Sequence, residues 1–233
     1  MNIKKTFYIL CLLLVIIIAV TGCRSSQPEI EEGEISFLVS VDFDMDEEVF
    51  LAIGWIYEEL ANEKIYFADA EIKINEIELS WVKDFSWYRA DDLDLEPNEE
   101  VTIKLSHSKV GNLEETLVIP LPVTGLTVEP DLDQWLDDDI DAILSWDDIG
   151  ADIYYVDIYI HNEDNKYVDS YTIVRTPEDT SYNLKNIRDR LFEKYEEGYY
   201  VTIYVIPQNS HRFPNLKGIF IASSYSTNVI TNK

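Results

Sequence analysis

Residues 34–57 read EISFLVSVDFDMDEEVFLAIGWIY. Ile35, Phe37, Val39, Val41 and Phe43 alternate with Ser36, Leu38, Ser40 and Asp42, the period of a half-buried strand. Asp44 to Glu48 form an acidic turn. Val49, Leu51, Ile53, Trp55 and Tyr57 then alternate over a second strand. Two alternating runs separated by a short polar turn read as two strands, which makes the region β structure.

The same period continues outward. Glu58 to Lys64 is polar and reads as a loop or a single helical turn. Ala70, Ile72 and Ile74 lead to Asn75-Glu76, and Ile77, Leu79 and Trp81 resume the alternation; this is hairpin syntax, with Asn75 able to take a left-handed turn conformation. Further strands are expected at Val101–Leu105 and Leu117–Leu121. Pro120-Leu121-Pro122-Val123-Thr124-Gly125 interrupts the pattern, because two prolines bar a central strand and favour an extended connector.

Residues 34–122 resemble the small immunoglobulin-like domains common in bacterial lipoproteins. The matching features are Glu71 to Glu76 ending at a tight turn, the pair Trp87-Tyr88, and Leu95-x-Pro97-x-Glu99-x-Val101. Residues 126–231 resemble a fibronectin type III domain. Leu126-Thr127-Val128 matches its first strand and Ala142 to Trp146 its second, with the tryptophan that family buries. After a turn over Asp147–Asp152, Tyr154-x-Val156-x-Ile158 matches the third. Tyr167–Val174 would be the next, Val201-x-Ile203-x-Val205-x-Pro207-x-Asn209 resembles the Val-x-Val-x-Ala-x-Asn run, and Phe220–Ile230 would close the sheet. The resemblance implies an all-β protein of two tandem sandwiches. Asn186 to Glu197 departs from it as a short helix, with Ile187, Leu191 and Tyr195 on one face.

The first 22 residues have a different character. Lys4 and Lys5 precede an uncharged run from Phe7 to Val20, about 14 residues, short of the roughly 20 a membrane span needs. The run ends in Val20-Thr21-Gly22-Cys23, which resembles the lipobox of bacterial lipoproteins. The resemblance implies cleavage before Cys23 and lipidation of its thiol, with residues 24–33 as a polar tether. It places the protein at the cell envelope. Arg24, rather than Asp, after the cysteine favours the outer membrane of a two-membrane cell; otherwise the outer face of the single membrane is expected. Cys11 would leave with the signal, so the mature chain has no disulfide and no cysteine-based metal site.

The chain carries 45 acidic against 18 basic residues, a net charge of −27, and loss of Lys4 and Lys5 would take this to −29. Such a body is repelled by phosphate backbones and anionic lipid heads, which argues against a nucleic-acid partner. Protein or glycan ligands, and cations, remain.

Local chemistry is sparse. Asp42 to Glu48 resembles the start of a calcium loop, but Glu47 and Ile53 stand where an EF-hand needs Gly and Glu. Asp131, Asp133, Asp137, Asp138, Asp139 and Asp141 form the densest carboxylate cluster; Asp137, Asp139 and Asp141 are the best metal candidates, although plain surface charge is the favoured reading. His107, His161 and His211 are too far apart for ligand spacing and read as loop residues. No Gly-x-Ser-x-Gly, P-loop or Gly-rich dinucleotide turn is present, and acidic pairs such as Glu76/Glu78 are expected by chance, so no enzymatic activity and no cofactor are expected. Among aromatics, Trp55, Trp87 and Trp146 are expected in the core. Trp135, in the acidic insert, and Trp81 are the candidates for ligand contact. A non-enzymatic envelope binding or scaffolding module is therefore expected, with a calcium-dependent adhesion or stability module, or a carbohydrate-active enzyme, as alternatives.

Overall fold

The computed structural model describes residues 34–44, 48–60, 63–130, 141–162, 164, 166–185, 187, 200–224 and 229–232. The strands are β1 (Glu34–Asp44), β2 (Val49–Leu60), β3 (Glu63–Tyr66), β4 (Glu71–Ile74), β5 (Ile77–Glu78), β6 (Ser80–Val82), β7 (Trp87–Leu93), β8 (Glu100–His107), β9 (Gly111–Val118), β10 (Thr127–Glu129), β11 (Ile143–Ser145), β12 (Ile153–His161), β13 (Tyr167–Arg175), β14 (Ser181–Asn183), β15 (Tyr200–Arg212), β16 (Lys217–Ser223) and β17 (Val229–Asn232). The protein is all-β, as the alternation requires. The expected helix near 186–197 lies almost wholly outside the described residues; Lys185 and Ile187 at its start are helical.

One ten-stranded sheet runs in the order β13-β12-β15-β16-β1-β2-β7-β6, with β17 on β15 and β3 on β2. A four-stranded sheet, β5-β4-β8-β9, and a three-stranded sheet, β10-β11-β14, complete the fold. Two cores lie between the sheets. The first gathers Phe37, Val39 and Val41 of β1, Phe50, Ala52 and Ile56 of β2, Ile72 and Ile74 of β4, and Val101, Ile103 and Leu105 of β8. The second gathers Leu144 and Trp146 near β11, Tyr154, Val156, Ile158 and Ile160 of β12, and Val201, Ile203 and Val205 of β15. These are two β-sandwiches, with the connector 120–125 between them.

The sandwiches share strands. Phe220–Ile230 was expected to close the second sheet, but only β17 does so, pairing Ile203 with Val229. The hairpin β15–β16 runs on past the second core. Its β16 arm pairs in parallel with β1, from Ser36↔Lys217 to Val41↔Ala222, and puts Phe220 and Ala222 into the first core. Phe213 and Leu216, at the hairpin tip, pack on the same core. Lys217 Nζ also ion-pairs with Glu34 at the start of β1.

Both cores lie on one face of the large sheet. Val201, Ile203 and Val205 of β15 point into the second core, and Phe213, of the same parity, packs on the first. The junction is lined on that face by polar contacts: Asn209 donates from Nδ2 to the Val118 carbonyl (2.8 Å), and His211 lies 3.4 Å from Glu115.

At the parallel pair, a Cβ added to Gly218 would stand 1.9 Å from Cζ of Phe37. That ring is held against both Phe213 and Phe220 and has nowhere to swing. Gly218→Ala is expected to destabilise by about 1–3 kcal/mol, the usual cost of overpacking, read as a lowered urea midpoint.

Candidate binding surface

The other face of the ten-stranded sheet is the notable surface. In β2, the residues whose alternation reads as core from sequence, Leu51, Ile53, Trp55 and Tyr57, point away from it. The core-facing set is Phe50, Ala52, Gly54 and Ile56; Leu51 is buried as well, at 8 % exposure, but belongs to neither core. The turn decides this. It pairs Phe37 with Ile56, Val39 with Gly54, Val41 with Ala52 and Phe43 with Phe50, so the core face of β1 meets the even residues of β2. Trp55 is therefore half-buried on the outer face, opposite Leu38, which is in turn opposite Ile219. Ile221, Ser40 and Ile53 form the adjoining row, ending at Arg89. None of Leu38, Ile53, Trp55, Ile219 or Ile221 belongs to either core.

The aromatic hairpin β6–β7 follows the same logic. Trp81 pairs with Tyr88 and Val82 with Trp87, so the turn Lys83–Ser86 puts Trp81 and Trp87 on opposite faces although they share parity in sequence. Trp81, a candidate for ligand contact, instead packs on the first core with its ring 5.0 Å from that of Tyr88. Tyr88 is anchored by its hydroxyl, which donates to the Phe67 carbonyl (3.0 Å) and accepts from the Ala70 amide (2.8 Å); burial pushes its pKa up. Trp87, expected in the core, lies outside it and stacks on Phe85 at 5.0 Å, and Phe85 is 66 % exposed at the tip. Trp146 is core, as expected, at 5 % exposure.

In the second sandwich β12 alternates strictly: Tyr154, Val156, Ile158 and Ile160 are buried, and Tyr155, Asp157, Tyr159 and His161 are half-buried on the outer side. Across the ladder, Tyr155 meets Ile206 and Val174, and Asp157 meets Tyr204 and Thr172. The Tyr159 ring contacts Tyr204 edge-on at 5.6 Å and Tyr167 at 6.3 Å. The outer face thus carries an apolar row, Ile219–Leu38–Trp55, over the first sandwich, bordered by Ser36, Ser40, Asp42 and Arg89, and tyrosines interleaved with Asp157, Thr172 and Thr202 over the second. An open sheet face ordinarily alternates to polar residues, and a contiguous apolar face marks a contact surface. Tyrosine suits such a surface because it combines a large apolar ring with a polar tip.

The remaining candidates are dispersed. Trp135, Asp137 and Asp139 lie outside the described residues, as do Cys23 and the segment before it. Asp141 faces Lys185 at 3.3 Å. Asp147 accepts from the Thr124 hydroxyl (3.0 Å), and Asp148 accepts from the Gly150 amide and the Tyr154 hydroxyl (2.9 Å each), which hold its pKa below the usual carboxylate value. Among the described residues no group of three or more His, Cys, Asp or Glu could hold a metal ion, and no helix is long and apolar enough to cross a membrane. The histidines are strand residues rather than loop ones: His107 ends β8, buried beside the Phe67 ring, His161 ends β12, and His211 lies within β15. Glu76 lies 3.8 Å from Lys104, and Glu78 is opposite Lys73. A shallow cavity of about 380 Å³ on the four-stranded sheet is lined by Glu71, Lys73, Lys104 and Glu114, whose charges already pair.

No protein-family model matches the chain, and no curated protein matches it by sequence. Among solved structures, it is similar to the FN1–FN3 domains of chicken CNTN1, at 13 % identity and a TM-score of 0.30, over 87 % of this chain. The match spans 64 % of that chain's length.

Proposed function

We propose that the chain is a lipid-anchored, non-enzymatic binding or scaffolding module of a bacterial cell envelope, and that the outer face of its ten-stranded sheet is the contact surface for a protein partner. The observation that carries the reading is the row Ile219–Leu38–Trp55, apolar on a face that neither core uses. Aromatic side chains on a sheet face suit a protein interface, whose core is enriched in them. The tether after Cys23 supports the arrangement: residues 24–33 extend to at most about 35 Å, enough to hold an acidic body clear of the lipid heads that repel it. No specific observation favours the calcium or glycosidase alternatives.

The test is site-selective photo-crosslinking in cells, comparing benzoylphenylalanine at Trp55 with the same group at Lys73, on the exposed face of the four-stranded sheet. A discrete adduct from position 55 and none from position 73 is expected. Equal adducts from both positions, or none from 55, would remove this surface from the reading.

A further inference from the structure

The apolar row of the outer face ends in a cation. Arg212, the last residue of β15, is opposite Ile219, so the full row reads Arg212–Ile219–Leu38–Trp55 across four adjacent strands. It spans about 14 Å, three inter-strand spacings. Arg212 is exposed. Its strand neighbour His211 turns to the opposite face, beside Glu115. In the two adjoining rows the cations are already matched: Lys217 pairs with Glu34, and Arg89 with Asp91. The chain has 45 acidic against 18 basic residues, and Lys73, Lys109 and Lys185 also have carboxylate partners. No carboxylate among the described residues pairs with Arg212. An unmatched arginine in so acidic a chain, in line with a tryptophan and two aliphatic side chains, has the composition of an interface centre, where Trp and Arg carry much of the binding energy.

We infer that Arg212 receives a carboxylate of the protein partner, an Asp or Glu side chain beside an apolar segment that lies over Ile219, Leu38 and Trp55. The inference rests on the outer face being the contact surface. It deepens that reading by giving the partner's chemistry: an apolar segment with one acid about 14 Å from the group that covers Trp55. The guanidinium suits the position, because its flat, weakly hydrated group lies against apolar side chains while donating two parallel hydrogen bonds to a carboxylate. A second copy of this chain is rich in carboxylates, but two bodies of −27 repel one another. The occupant is therefore a different protein, neutral or basic overall, that offers its acid locally.

The test repeats the crosslinking in cells from benzoylphenylalanine at position 55 of the full chain, with a second substitution at Arg212. Arg212→Glu is expected to lower the yield of adduct about tenfold or more, since it sets two carboxylates against each other. Arg212→Lys, which keeps the charge and loses the fork, is expected to lower it less. Lys166→Glu, the same change of charge at an exposed site before β13, is expected to leave the yield unchanged. Mass spectrometry of the adduct identifies the partner's contacting peptide, and replacing its acid by arginine is expected to restore the yield with Arg212→Glu. An unchanged melting temperature of Arg212→Glu shows that its fold is intact. Equal losses with Arg212→Glu and Lys166→Glu would reduce the effect to diffuse repulsion and overturn the subsite. A yield unmoved by Arg212→Glu would overturn the subsite and leave the contact face standing. An adduct between two copies of this chain would overturn the occupant, and no adduct from position 55 in any variant would remove contact face and subsite together.

Discussion

Phe220→Ala is expected to destabilise the whole chain by about 3–5 kcal/mol, the usual cost of emptying a buried aromatic site. Phe220 is 0 % exposed and sits in an aromatic cluster, 4.9 Å from Phe213 and 5.8 Å from Phe37. Two of these three rings arrive on the β15–β16 hairpin and the third on β1, nearly two hundred residues earlier in the chain. The cavity would open in the first core, but the strand that loses its hold belongs to the hairpin whose other arm fills the second. The two sandwiches should therefore unfold together, in one transition shifted by roughly 6–20 °C if each kcal/mol moves a chain of this size by about 2–4 °C. Calorimetry reads both quantities. Two separate transitions, with only one moved, would mean that the shared sheet does not couple the halves.

The second large effect concerns Cys23→Ser. If Val20-Thr21-Gly22-Cys23 is a lipobox, the cysteine thiol is the only group in the mature chain that can take the diacylglyceryl thioether, since Cys11 leaves with the signal. A serine hydroxyl cannot replace it. The variant is expected to accumulate as an unlipidated precursor, longer by residues 1–22, that incorporates no labelled palmitate. Anchoring depends on this step, because each buried methylene contributes about 0.8 kcal/mol and two or three acyl chains hold a protein where one does not. With residues 1–22 removed, the charge of −29 would push the body from anionic lipid. Normal maturation and labelling of the variant would remove the envelope anchor from the proposal.

Strand positions were legible because alternation is local. Residues 34–44 and 153–161 are strands where the period places them, and Asn75 takes the left-handed turn its side chain allows, at φ 52°. What parity cannot supply is which face of a strand meets a core when both faces are apolar. In β2 the choice between Phe50-Ala52-Ile56 and Leu51-Ile53-Trp55 is made by the turn before it, and in β6–β7 the turn at Lys83–Ser86 sends Trp81 inward and Trp87 outward. The parallel pairing of β1 with β16 was illegible for another reason: it joins segments about 180 residues apart, and alternation carries no information on partners.

The proposed anchor is at Cys23, so the chemistry of the mature N-terminus is the most direct test of the proposal. Mass spectrometry of the protein isolated from its own cells is predicted to find a chain beginning at Cys23, with the tryptic peptide Cys23-Arg24 carrying the mass of a diacylglyceryl group. A chain beginning at any other residue, with an unmodified Cys23 thiol, would contradict the anchor.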